Sequence, residues 1–254
     1  MHSKINKVHD FKEVIEAIGQ ADNTSVVLFD IDEVIVMDSD ESRLTHNYRK
    51  KLVRNIEQRL TKKECELLLS IVLKDRKARF VNQDILTIFA LLKEKNVPAM
   101  GLTKLPTGKF GAIEDMIEWR IRELSELKVK FQEFSPLKDE IIIEDYSAGY
   151  GKPTLKDGII YTAEYDKGSV FEYVLHKMHY YPKSIIFIDD IEENLLSLQE
   201  TCKKLKINYQ GFEFMGSAIV PEPDLDEQLE KIRFEVLEKA YKWLTDIELK
   251  TLQK

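Results

Sequence analysis

The stretch VVLFDIDEV, Val26 to Val34, decides the fold. From Val26 to Phe29 it is an unbroken apolar run, and it then turns abruptly acidic at Asp30 and Asp32. A strand buried on both faces reads as continuous rather than alternating, so this run is read as the central strand of a parallel sheet. Acids at its carboxyl end stand where open α/β sheets bind ligands. In extended chain, residues two apart share a side, so Asp30 and Asp32 are expected to face one site. Ile31 then packs away, and Glu33 is expected to point away from Asp30 and Asp32, toward the insert. Two acids that close repel unless a cation or a shared proton intervenes.

Working outward, Asp10 to Ile18 carries apolar residues at helical spacing (Phe11, Val14, Ile15, Ile18), with Gly19 as terminator. Beyond the acids, Glu41 to Arg79 is helical and charged, with Thr61 and Glu64 spaced as a capping box before Leu67 to Leu73. This stretch is read as an all-helical insert. Residues 83 to 95 predict another helix, NVPAMGLT a second buried strand, and residues 110 to 134 a long helix. The runs EIIIEDY and GIIYTA, separated by SAGYGKPTLKD, are expected to pair as a hairpin. A helix from Gly168 to Met178, the strand SIIFIDD, a helix from Glu192 to Leu205 and the strand INYQGFEF follow. Asp224 to Lys254 reads as a charged amphipathic helix pair packed on the outside. Alternating strand and helix predicts a Rossmann-like, doubly wound parallel sheet with right-handed crossovers. The expected division is a core of residues 1–40 and 81–254, carrying the C-terminal helices, and a helical insert of residues 41–80. No internal repeat or biased tract disturbs it.

Composition narrows the partners. The 254 residues are 43% hydrophobic, enough for a sizeable core, and the net charge of −7 argues against a general nucleic-acid binder. The two cysteines, Cys65 and Cys202, lack any zinc-like spacing and read as core thiols in a reducing compartment. The opening MHSKINKVHDFKEV lacks the apolar stretch of a signal peptide, and no run is long enough to cross a bilayer. A cytoplasmic protein without membrane partners is therefore expected, export without a signal aside; the oligomeric state is left open.

The strand SIIFIDD ends in Asp189 and Asp190, so two buried-looking strands both terminate in paired aspartates. Four carboxylates on one rim would be strongly unfavourable alone. A hard divalent cation with oxygen ligands, such as Mg²⁺, is the natural compensation, and metal-assisted phosphate chemistry leads the candidates. Each motif has a plainer reading beside it. A DxD at a strand end is also a common turn or N-cap, Lys167 alone would be a solvated lysine, and Thr103 alone a strand-end hydroxyl. His176 and His179 share a helical face but lack a third ligand, so they are set aside. The basic run from Arg49 to Arg59 reads as the wet face of an insert helix, and Asn194 as either a surface residue or a partner for the acids.

Four motifs in this order resemble the haloacid dehalogenase superfamily. FDIDEV resembles its first motif, with Val34 in place of the commoner Thr. Thr103 ending PAMGLT resembles the second, Lys167 in YDKGSVFEYVL the third, and IIFIDDIEEN the fourth. The stretch from GIIYTA to INYQGFEF resembles more narrowly an uncharacterised bacterial branch catalogued as a domain of unknown function. The resemblance implies a Mg²⁺-dependent phosphatase working on a small phosphomonoester through an aspartyl-phosphate. It implies that Asp30 is the nucleophile and Asp32 the acid and base, the latter with its pKa pushed toward neutrality. Mg²⁺ would be held by Asp30, the Asp32 main-chain carbonyl and Asp189, with Asp190 in support. Thr103 and Lys167 would bind the phosphate, and the insert corresponds to a cap that governs access. Two alternatives are carried forward: a catalytically silent fold of this type serving as a binding module, and a phosphotransferase.

Overall fold

The computed structural model describes residues 3–40, 46–146 and 149–252. The start of the insert at Glu41, Ser147 and Ala148 of the turn segment, and the last two residues of the C-terminal pair lie outside them. The strands are β1 (Ser3–Val8), β2 (Ser25–Phe29), β3 (Val36–Asp38), β4 (Ala78–Phe80), β5 (Ala99–Thr103), β6 (Ile141–Ile142), β7 (Thr154–Lys156), β8 (Ile159–Tyr161), β9 (Ser184–Asp189) and β10 (Asn208–Phe214). The helices are α1 (Lys12–Gln20), α2 (His46–Arg59), α3 (Lys62–Asp75), α4 (Ile85–Lys95), α5 (Met116–Glu126), α6 (Lys167–Met178), α7 (Glu192–Leu205), α8 (Glu227–Ala240) and α9 (Asp246–Thr251).

Eight strands form one sheet in the order β1-β10-β9-β2-β5-β8-β7-β6. Pairing is parallel from β1 through β8 and antiparallel from β8 to β6. The Val26 run is thus a central strand, as its composition requires, lying between β9 and β5. Its residues alternate between two cores. Val27 and Phe29 pack with α1, α4 and α5 residues such as Val14, Ile88 and Met116. Val26 and Leu28 pack on the other face with Val170 and Phe171 of α6 and Leu195 and Leu198 of α7. Both faces being covered explains why the run carries no polar residue.

Four expectations need correction. SKINKV forms β1, an edge strand paired only to β10; an edge needs only one apolar neighbour, so its lysines hid it. The runs EIIIEDY and GIIYTA do not pair with each other, because β7 lies between β6 and β8. Asp157 and Gly158, at φ 49° and 76°, make the tight turn from β7 to β8, and two successive left-handed residues are what a type I′ hairpin needs. The long helix expected over 110–134 is α5 followed by a separate single 3-10 turn at Phe131–Glu133: Asp115 captures the amides of Ile117 and Glu118 at 2.9 and 3.0 Å and starts α5 there. The insert is not all helical, since β3 and β4 pair antiparallel at its root (Val36 with Phe80, Asp38 with Ala78). Strands of three residues are too short to show alternation.

The capping box is present as expected, Thr61 and Glu64 each serving the other's amide. The C-terminal pair packs on the insert. Trp243 and Leu237 share a core with Ile56 of α2 and Leu68, Ile71 and Val72 of α3, and the Trp243 Nε1 donates to Asp40 at 2.9 Å. Gly111, at φ 53°, seats the loop after β5 against α3; a Cβ there would lie 2.3 Å from Ser70 Oγ. Both cysteines are buried and free. No helix among the described residues is long and apolar enough to cross a membrane.

Candidate active site

β2 and β9 are hydrogen-bonded neighbours, Phe29 level with Ile188, so their acidic ends meet. Asp30, Asp189 and Asp190 each offer one oxygen within 4.8 Å of the others. Asp30 and Asp189 are buried. Lys167, the first residue of α6, is wholly buried and sits between them, its Nζ 2.6 Å from Asp189 and 3.0 Å from Asp30. Asp166 caps that helix by accepting from the Ser169 amide at 2.8 Å, which fixes where Lys167 enters.

The second acidic motif is held from behind. Asp189 accepts from the Ile191 amide at 2.9 Å, and Asn194 Nδ2 reaches its two oxygens at 3.0 and 3.3 Å. Asn194 is therefore a buried partner of the acids rather than a surface residue. The Asp30 carboxylate accepts from the Ile31 amide at 2.7 Å. Thr103 ends β5, two residues beyond the Phe29–Gly101 pairing, and is buried on the same sheet edge. The histidines lie elsewhere: His176 contacts Tyr181 at 2.8 Å, and His179 is the left-handed cap of α6.

Asp32 departs from expectation. β2 stops at Phe29, and the chain turns over Ile31–Val36 with Glu33 at φ 63°, so strand alternation does not carry past Asp30. The Asp32 carboxylate is directed to two arginines instead, Arg120 at 2.5 Å and Arg76 at 3.2 Å. Glu123 accepts from both guanidiniums, at 2.5 Å from Arg120 and 2.7 and 2.9 Å from Arg76. Asp38 lies 3.5 Å from Arg76. Trp119 stacks under both, 4.8 Å from Arg120 and 5.1 Å from Arg76.

The electrostatics follow from these two neighbourhoods. Burial raises the Asp30 carboxyl to about 6, Asp189 and Asp32 adding to the rise while Lys167 opposes it. Burial, then the charges of Asp30 and Asp189, raise Asp190 to about 8. Burial would raise Asp32 too, but Arg120 and then Arg76 outweigh it and hold the carboxyl well below its usual range. The expected push of Asp32 toward neutrality is thus reversed, because its neighbours are guanidiniums rather than acids.

Sequence reading missed Arg76, Arg120 and Glu123. One signal was available: Met116, Ile117, Arg120, Glu123 and Leu124 are the buried residues of α5, so two charged residues stand on an apolar helical face, where charges occur only when paired. Arg76 gave no such signal, since it follows α3 as its cap.

Three carboxylates against one ammonium leave the first cluster short of positive charge. Oxygen donors at this spacing fit a hard divalent cation, and Asp30 and Asp190 are raised first by burial and further by the neighbouring carboxylates. The fold and the cluster together define a doubly wound α/β protein with an acidic, metal-competent centre at the carboxyl ends of its middle strands. The chain belongs to the family described as "Protein of unknown function (DUF2608)", whose model matches residues 7–250. No curated protein matches it. Among solved structures, a haloacid dehalogenase-like family hydrolase from Streptococcus pneumoniae aligns at 14% identity and a TM-score of 0.41, covering 73% of this chain and 92% of that one.

Proposed function

We propose that this protein is a Mg²⁺-dependent phosphatase that cleaves a small phosphomonoester through an aspartyl-phosphate on Asp30. The observation that carries the reading is the cluster of buried Asp30, Lys167 and Asp189 with half-buried Asp190, in which one acid is held within reach of an ammonium and of two further carboxylates. The first, third and fourth haloacid dehalogenase-type motifs of the sequence supply those residues in order, and the second supplies Thr103. Asp30, Asp189 and Asp190, with the main-chain carbonyl of Asp32, would hold the cation. Bound Mg²⁺ would neutralise charge on the phosphoryl oxygens and let Asp30 remain ionised beside its neighbours.

The rest of the work belongs to side chains of this chain. Asp30 Oδ attacks phosphorus, the bond to the leaving oxygen breaks, and water later cleaves the new acyl phosphate, two easier steps replacing one hard one. Lys167 sits against the nucleophile and offsets charge carried by the incoming phosphate. Thr103 donates its hydroxyl to a phosphate oxygen. Asp32 hands a proton to the leaving group and takes one from water. As a carboxylate paired to two arginines it is found in the form that accepts, so the proton it hands over must first be taken up.

Asp30→Asn tests the reading. Mg²⁺-dependent hydrolysis of p-nitrophenyl phosphate should fall to background while the variant still melts cooperatively; undiminished turnover would rule out Asp30 as the nucleophile.

A further inference from the structure

Exposure is uneven across the ion pairs of Asp32 with its two arginines. The guanidiniums are buried, Arg120 with 1% and Arg76 with 5% of the side chain exposed, whereas the Asp32 carboxylate they grip is 38% exposed. Each of its oxygens takes a separate guanidinium, Oδ2 from Arg120 and Oδ1 from Arg76. Arg's planar fork fixes direction as well as distance. Glu123 accepts from both arginines and Trp119 lies against both, so the fork that holds Asp32 is itself held. The frame draws on the end of insert helix α3 through Arg76 and on α5 through Arg120, Glu123 and Trp119.

Given the phosphatase reading, on which this rests, we infer that Arg120 and Arg76 are positioning residues that aim the Asp32 carboxylate at the water that hydrolyses the aspartyl-phosphate. In that step the water oxygen bonds to phosphorus and the bond from phosphorus to Asp30 Oδ breaks. The Asp30 carboxylate is regenerated, and the water proton passes to Asp32. A carboxylate already accepting on both oxygens keeps its remaining lone pairs on the exposed side, where a water can be met. Neither arginine touches the reacting atoms; their action passes through Asp32. The insert thereby becomes part of the site, because Arg76 caps its second helix.

Rapid-mixing release of p-nitrophenol from saturating p-nitrophenyl phosphate with Mg²⁺ separates the two half-reactions. Arg120→Lys keeps the charge and removes the fork. The expected trace is a first release of about one p-nitrophenol per chain at the wild-type rate, followed by turnover slowed ~100-fold, with phosphate trapped on the acid-quenched protein. A first release and turnover that fall together would assign Arg120 a structural role only, and unchanged turnover would remove it from the reaction; either overturns the inference. Should Arg120→Lys fail to fold, Glu123→Gln loosens both guanidiniums without touching Asp32 and is read the same way. If neither folds, the frame is structural and the inference falls. Wild-type protein inactive on this substrate would instead sink the phosphatase reading, leaving the two failures distinguishable.

Discussion

Two neighbourhoods flank the end of β2, and they differ in how much positive charge their carboxylates are given. Around Asp30, three carboxylates share one buried ammonium. Around Asp32, two residues on, two guanidiniums meet the carboxylates of Asp32 and Glu123, with Asp38 at the edge. The same residue type therefore has its pKa raised in one place and lowered in the other. The second cluster has two guanidiniums for three carboxylates and the first one ammonium for three, so the first is the shorter of countercharge. That contrast, more than the number of aspartates, separates a cluster short of countercharge from one in which two guanidiniums grip a single carboxylate.

The sharpest way to break the contrast is to remove the lone cation of the first neighbourhood. Lys167→Met leaves buried Asp189 with Asn194 and main-chain amides but no countercharge. Taking one partner from a buried ion pair costs about 3–5 kcal/mol. Urea unfolding at neutral pH with a chelator present should show that loss, and added Mg²⁺ should restore part of it. A cost under ~1 kcal/mol would mean that the acids escape to solvent and that the cluster is not the strained one described.

Much of this architecture is legible in the amino-acid sequence. The unbroken apolar run from Val26 and its twin at SIIFIDD point to two buried strands whose acids end together, because full burial leaves a sequence no room for polar residues. Lys167 is placed by motif spacing alone, yet it proves to be the wholly buried counterion. What stays hidden has a common cause. Arg76 and Arg120 reach Asp32 across 44 and 88 residues of chain, and Arg76 reaches Glu123 across 47; no local period encodes those pairings, whereas Arg120 and Glu123, three apart on the buried face of α5, left a local trace. The direction of Asp32 is misread when strand alternation is carried past Phe29, where β2 ends and the chain begins the turn that includes left-handed Glu33.

The second neighbourhood gives a smaller effect. Asp32→Asn removes the charge that Arg120 and Arg76 share, and hydrogen bonds to charged groups contribute about 1.5–3 kcal/mol. With 38% of the Asp32 side chain exposed and Glu123 still in place, the loss belongs at the lower end of that range. Chemical denaturation near pH 7 measures it, and a variant as stable as wild type would show the guanidiniums satisfied without Asp32.

The two halves also predict opposite pH behaviour. Asp190 is raised to about 8 and Asp30 to about 6, against 3.8 for the ordinary carboxyl. Between those values the folded chain holds protons that the unfolded chain has released, so metal-free stability falls as pH rises from about 4 toward 8. Asp32, lowered, acts the other way: its contribution is present above the ordinary carboxyl pKa and is lost as pH falls through its folded value. Asp190→Asn should therefore flatten the decline between pH 4 and 8 in a chelator, as should Mg²⁺ with the wild-type chain. A slope unchanged by either would show that crowding at Asp190 is not what the metal relieves.

The finest test concerns how the acid-rich side is oriented. Asn194 donates to both oxygens of Asp189 at 3.0 and 3.3 Å and is buried in doing so. Residues that orient a ligand from behind typically govern metal affinity by 10- to 100-fold. Asp189 keeps the Ile191 amide and Lys167 in the absence of Asn194, which places the effect near the bottom of that range. Asn194→Ala is thus expected to weaken Mg²⁺ about tenfold, or about 1.4 kcal/mol, in calorimetric titration. Its effect on the Asp32 side should be nil, so the burst-to-turnover ratio stays at the wild-type value. Were Asn194→Ala to alter that ratio as Arg120→Lys does, the two neighbourhoods would be one coupled network, and the division by charge balance would fail.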